Sequence, residues 1–280
     1  MTKKLSAITI DVESDWGGRS SATATGARGC EEGLSKILTA LNKHDLQATF
    51  FVSAKLAEAL PHIVPSLMAE GHEVASHGYD HIDYSALTKS HLRYQLEKSK
   101  DILEQQCGAK VTGFRAPQFR IPNGLFECLS QAGYEYDSSI VLGTLAGRYD
   151  NGIEAIDAAT QFGLREIPLR VLPILKIPVG VLWLSTIGVF ASTQLMKMES
   201  RGQKYASLGY IFYCHPFDFI DVKADASNKS MLLRLWYGWR PRPVLSTFND
   251  MIEFLKHRYR IVRLDSTAVK SIYRSSIYYE

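Results

Sequence analysis

No Cys-x-x-Cys pair occurs in this chain; its four cysteines, Cys30, Cys107, Cys128 and Cys214, are scattered. That pattern points away from a disulfide framework and toward free thiols in a reducing cytoplasm. A surplus of one charge is also lacking. The 32 Lys and Arg residues stand against 29 Asp and Glu, a net charge of +3. Nucleic-acid binding requires a concentrated basic face, so no nucleic-acid partner is expected. Met1 to Ser6 leads directly into a strand-like segment with no apolar signal region, which again gives a cytoplasmic expectation. Internal repeats, low-complexity tracts and linkers are missing, so residues 1–280 are expected to form a single domain.

One uncharged run stands out, Ile177–Met196, 20 residues long and in principle able to span a bilayer. Pro178, Gly180 and Gly188 interrupt it, and four hydroxyl residues dilute it. It is expected to supply two short buried strands and the start of a helix, with contact at a membrane surface as the lesser option.

What the chain does have is a balance of 46% hydrophobic and 22% charged residues, suited to a sizeable core. Strand-like stretches alternate with helical ones. Strands are expected at 6–12, 48–52, 73–76, 111–114, 134–136, 164–171, 210–214 and 259–264. Helices are expected at 31–44, 54–70 (broken near Pro61 and Pro65), 90–106, 124–132, 194–201 and 244–258, with 141–164 as loop. Such alternation argues for a parallel sheet curled into a barrel.

The chemistry gathers where strands end. Asp11 follows AITI, His77 follows EVAS, Arg115 follows TGF, Asp137 follows YEY and His215 follows IFYC. In parallel barrels the loops at the carboxyl ends of the strands open on one face, where sites are assembled. His77 and His81 are spaced so that two imidazoles can converge on one divalent metal, and Gly78 lets the backbone between them turn. Taken alone, these residues read first as a surface ion pair, Arg115 with Asp137 or Asp11, and a turn histidine, His215.

As an ordered set, these segments resemble the polysaccharide deacetylases of carbohydrate esterase family four, which include chitooligosaccharide and peptidoglycan deacetylases. Thr9-Ile10-Asp11-Val12-Glu13, Ser76-His77-Gly78-Tyr79-Asp80-His81, Arg115-Ala116-Pro117, Asp137-Ser138-Ser139 and Tyr213-Cys214-His215-Pro216 match that family's five motifs in order. The resemblance implies an α/β fold, a distorted (β/α) barrel of seven strands. It also implies a divalent metal, most often zinc, with His77 and His81 as ligands. By the same resemblance Asp11 is the general base, Arg115 its partner, and His215 the general acid, oriented by Asp137.

The first motif departs from the family's usual pair of adjacent aspartates, because Val12 cannot ligate. Residues i and i+2 of an extended segment share a face. Glu13 is therefore the candidate third ligand, with Asp15 in reserve. The substrate class this implies is an N-acylated amino sugar, as a free small molecule or as a nucleotide- or lipid-linked precursor of a surface glycan. Removal of an acetyl group is the first reading and deformylation of a lipid-linked amino sugar its close variant. A catalytically silent carbohydrate-binding barrel is the reading from another class, supported by Val12. The stretch Arg234–Pro243, three aromatics among three arginines, could stack on a sugar, grip a phosphate or meet a membrane interface.

Overall fold

The computed structural model describes residues 3–13, 24–143, 154–198, 208–220 and 243–276. Its centre is β1 (Leu5–Val12), every residue of which is buried. Around it lie β2 (Thr49–Val52), β3 (Glu73–Ser76), β4 (Gly113–Phe114), β5 (Tyr136–Asp137), β6 (Arg165–Glu166), β7 (Ile211–Cys214) and β8 (Arg260–Ile261). The spatial order is β6-β5-β4-β3-β2-β1-β7, with β8 beside the start of β1, and every pairing is parallel. Single bridges Val141–Leu169, Val171–Pro178 and Gly180–Tyr213 carry the backbone from beyond β6 round to β7. Among the described residues the sheet thereby curls into a distorted barrel in which seven strands follow one another from β6 to β7 and β8 is an eighth beside β1, the expected architecture with one strand more.

Side chains alternate between two clusters, as the period of a strand requires. Ile8, Ile10 and Val12 of β1 join Phe50, Val52, Val74, Phe114 and Phe212 in the large core beneath the helices. Leu5 and Ala7 join Phe51, Ala75, Tyr136, Ile211 and Tyr213 in a smaller cluster inside the barrel. On β1 the same inward parity continues through Thr9 and Asp11. This alternation decides which polar residues can meet.

The helices Lys89–Cys107, Leu125–Gln131 and Val244–Arg258 follow the expected amphipathic segments, and Ala24–Lys43 covers the expected 31–44 but begins earlier. The segment with two prolines breaks once: helix Ala54–Ala59 stops before Pro61, and a second runs Ile63–Ala69. Pro65 sits in the first turn of that second helix, where a missing N–H breaks no intrahelical bond.

Three expectations need correction. Part of the expected loop 141–164 is a helix, Glu154–Gln161, whose 8 residues are too few for a helical period to stand out. The apolar run forms two helices, Val181–Ile187 and Val189–Lys197, divided at Gly188 with φ 94°. Only Pro178 and Gly180 of that run enter bridges, so the two expected strands are not there. A last helix, Thr267–Ser276, follows β8 and was not expected. Among the described residues no helix is long and apolar enough to cross a membrane. Asp15 and residues 234–242 lie outside the described residues.

Candidate metal centre and acid–base site

The inward parity of β1 brings Asp11 into the barrel, where Arg115 meets it. Arg115 is fully buried, the largest such side chain among those described. Its Nη1 donates to Asp11 Oδ1 at 2.7 Å and to Thr9 Oγ1 at 2.9 Å. Nε donates to the Ser138 carbonyl and Nη2 to Ser138 Oγ, both at 3.0 Å. The guanidinium lies 4.0 Å from the centre of the Phe51 ring. A buried charge so fully bonded is held in one orientation, and it holds Asp11 in turn.

Glu13 follows two residues later on the same face and is 4% exposed. The Ser76–His81 turn supplies the two imidazoles beside it. His77 Nδ1 lies 2.8 Å from the Arg115 carbonyl oxygen, which fixes Nε2 toward Glu13 Oε2 at 3.3 Å. His81 Nε2 lies 2.5 Å from the same oxygen. Gly78, at φ 77°, makes the turn possible, and a Cβ there would fall 1.9 Å from Tyr84 Oη.

One ligand atom from each of Glu13, His77 and His81 falls within 4.8 Å of the others, a spacing that can hold a metal ion. Oε2 of Glu13 is buried yet makes no hydrogen bond of proper geometry, although two ring nitrogens crowd it. A lone pair so placed suits a cation better than a donor N–H. Burial alone would raise the Glu13 carboxyl, but His81 and His77 outweigh it and hold it well below the ordinary carboxylate range. The donor set of one carboxylate and two imidazoles is one that a divalent cation could take with positions left open.

His215 closes the group from the end of β7. Its Nε2 lies 3.8 Å from Glu13 Oε1, and its ring stacks on Phe217 at 4.6 Å. Burial pulls its pKa down, while Asp218, Glu13 and Asp11 push it up, to about 9.

Asp137 does not orient His215. Nδ1 of His215 faces Asp218 Oδ2 at 3.2 Å, whereas Asp137 bonds the Ser139 hydroxyl at 2.7 Å and backbone N–H at 3.1 Å. The reason is parity. Tyr136 projects into the barrel and Ser138 reaches Arg115, so Asp137 between them points outward, beneath the helices. There it sits in register with Glu166 of β6, and burial raises both carboxyls, Glu166 furthest.

The structure thus brings together Asp11, Glu13, His77, His81, Arg115 and His215, and leaves Asp137 apart. Sequence reasoning missed Asp218 and Ser138. The His-Pro-x-Asp spacing was the available signal for Asp218, since an acid three residues after a cap can bond back to it.

Residues 2–136 match the family model described as polysaccharide deacetylase. A peptidoglycan deacetylase of Helicobacter pylori is 31% identical over 111 residues, covering 40% of this chain and 38% of the relative. The chain spans only 27% to 38% of the length of the first curated relatives that it matches. Among solved structures, Puue allantoinase superposes with a TM-score of 0.63 at 15% identity, covering 99% of this chain and 92% of that one. The Bc1960 peptidoglycan N-acetylglucosamine deacetylase superposes at 0.54 with 19% identity, covering 94% and 86%. At such identities the superpositions speak for the fold alone, and they extend it across the half of the chain that the family model leaves unmatched. Residues 2–136, just under half of the chain, thus resemble the polysaccharide deacetylases, and the chain as a whole shares the fold of the Bc1960 deacetylase.

Proposed function

We propose that residues 1–280 act as one catalytic domain, a metal-dependent amide hydrolase that removes an acetyl or other small acyl group from an N-acylated amino sugar. The observation that carries this reading is the buried Glu13–His77–His81 group set beside the Arg115–Asp11 pair and His215. Glu13, His77 and His81 would hold the metal, zinc being our assignment. Bound there, a divalent cation supplies Lewis-acid polarisation of the acyl carbonyl and lowers the pKa of water.

The chain's own residues do the rest. Asp11, oriented by Arg115, takes a proton from the attacking water. His215 gives its Nε2 proton to the amine as the C–N bond breaks. Each of these acid–base roles is worth about 10²–10⁴ in rate. Val12 gives no support to a silent barrel, because it points into the outer core and the carboxylate beside it takes the inward place.

The finer reading is a nucleotide- or lipid-linked precursor in the cytoplasm, with deformylation of a lipid-linked amino sugar as its close variant. Burial of most of the apolar run counts against a peripheral membrane contact, and Phe190, 72% exposed on its second helix, is what is left to make one. Most of that run (Val179, Val181, Leu184 and Met196 among others) is core. The test is a panel of free, nucleotide-linked and lipid-linked N-acetyl and N-formyl amino sugars, with released acid as the readout and metal content measured in parallel. Acid from one class of substrate supports the reading. A metal-replete protein that releases none refutes it. Anionic liposomes that fail to retain the protein at low salt would remove the membrane contact and leave a soluble substrate.

A further inference from the structure

With Asp137 facing away from the barrel, something else must hold the His215 imidazole. Asp218 Oδ2 accepts the His215 backbone N–H at 2.8 Å and lies 3.2 Å from Nδ1 of the same residue. One carboxylate oxygen therefore ties both the main chain and the ring. Phe217 stacks on the ring with 11° between planes, and Tyr213 meets it edge-on at 5.7 Å. Together these contacts leave the imidazole one orientation.

Asp218 is itself fixed. It is 2% exposed and belongs to the 3-10 turn Pro216–Phe219. That turn packs against helix Ala24–Lys43 where Gly33 has no side chain; a Cβ there would fall 1.8 Å from the Pro216 carbonyl oxygen. The helix face thus sets the turn, the turn sets Asp218, and Asp218 sets the ring. With Nδ1 engaged, Nε2 is the nitrogen left facing Glu13.

We propose that Asp218 is the positioning residue of His215: it holds Nδ1–H, so that Nε2–H is the group presented to the leaving amine. In the reaction, the C–N bond breaks, the amine nitrogen takes the Nε2 proton, and the ring stays hydrogen-bonded to Asp218 through Nδ1–H. The water's hydroxyl remains on the acyl carbon and its proton passes to Asp11. The catalytic consequence rests on the deacylase reading, whereas the tautomer and ring orientation do not.

The test compares wild type with Asp218→Ala, Asp218→Asn, His215→Ala and the His215→Ala/Asp218→Ala double variant, all in the full chain. Substrates are an N-acetyl amino sugar and 4-nitrophenyl acetate, whose leaving phenolate needs no proton. Asp218→Ala should lower kcat on the amide about 10²-fold, with KM, metal content and ester turnover unchanged. Asp218→Asn keeps an acceptor oxygen and should recover part of the loss. The double variant should be no slower than His215→Ala, because two residues acting as a unit are not additive. Nitrogen-15 shifts of the His215 ring should show Nδ1 protonated in the wild type, a signature lost in Asp218→Ala.

Full amide turnover in Asp218→Ala, equal losses on both substrates, or an unchanged nitrogen-15 signature would each overturn the assignment. Wild-type protein that releases no acid from any amino sugar would refute the deacylase reading instead, and the nitrogen-15 comparison would still decide Asp218.

Discussion

Restoring the family's usual second aspartate by Val12→Asp should damage this protein rather than improve its metal site. Val12 is fully buried in the core beneath the helices, in register with Val52. Loss of its apolar burial costs about 1.5 kcal/mol. A carboxyl in that core has no partner and must stay protonated, which at pH 7 costs about 4 kcal/mol given an ordinary pKa near 3.9. The sum, about 5–6 kcal/mol, approaches the whole stability of an ordinary domain.

The sign with pH follows from the raised folded-state pKa of the new carboxyl. Its penalty is absent below the unfolded pKa and grows as pH rises, so lowering pH from 7 to 5 should return about 2.5 kcal/mol. Urea unfolding of Val12→Asp and wild type at both pH values measures this, with metal content read on the same samples. The Val12→Asp/Glu13→Ala pair should not regain metal, because the aspartate points away from His77 and His81. A Val12→Asp protein as stable as wild type at pH 7, or metal retained in the pair, would refute the parity argument.

Three further outcomes are expected. Glu13→Ala should lose both metal and activity, while Asp11→Asn should lose activity and keep its metal; if Asp15→Ala is instead the variant that empties the site, the ligand assignment moves to Asp15. Glu73, whose carboxyl burial and the nearby Asp265 push from 4.5 up to about 7, should make wild type lose roughly 3 kcal/mol of stability as pH rises from 4.5 to 7. Glu73→Gln should flatten that slope in urea titrations, and an unaltered slope would exclude Glu73 as its source. Gly78→Ala adds a side chain at φ 77° against the buried Tyr84 and should cost about 2–4 kcal/mol, with metal affinity falling in parallel; a normal melting temperature and full metal content would show that the turn tolerates a Cβ.

Much of the site was legible in the chain itself. Strand ends marked Asp11, His77, Arg115 and His215 as candidates, and it was the order of the five motifs, not those residues taken alone, that suggested roles for them. Glu13 followed from the two-residue period of β1, because Asp11 lies inward and Val12 therefore cannot. Asp137, assigned to His215 by the family resemblance, could not be checked by that rule, since its strand is only Tyr136–Asp137 and offers too few residues for an inward face to be read. Three dimensions were needed to see that Tyr136 takes the interior place and bonds Glu73, which turns Asp137 outward to Glu166. The partner of His215 was likewise a matter of tertiary structure. The His-Pro-x-Asp sequence permits the bond to Asp218, but the packing of that turn against Gly33 and the stacking of Phe217 decide the ring's orientation. Local period fixes which residues share a face; which strand lies opposite, and which helix presses on a turn, depends on contacts between residues far apart in the chain.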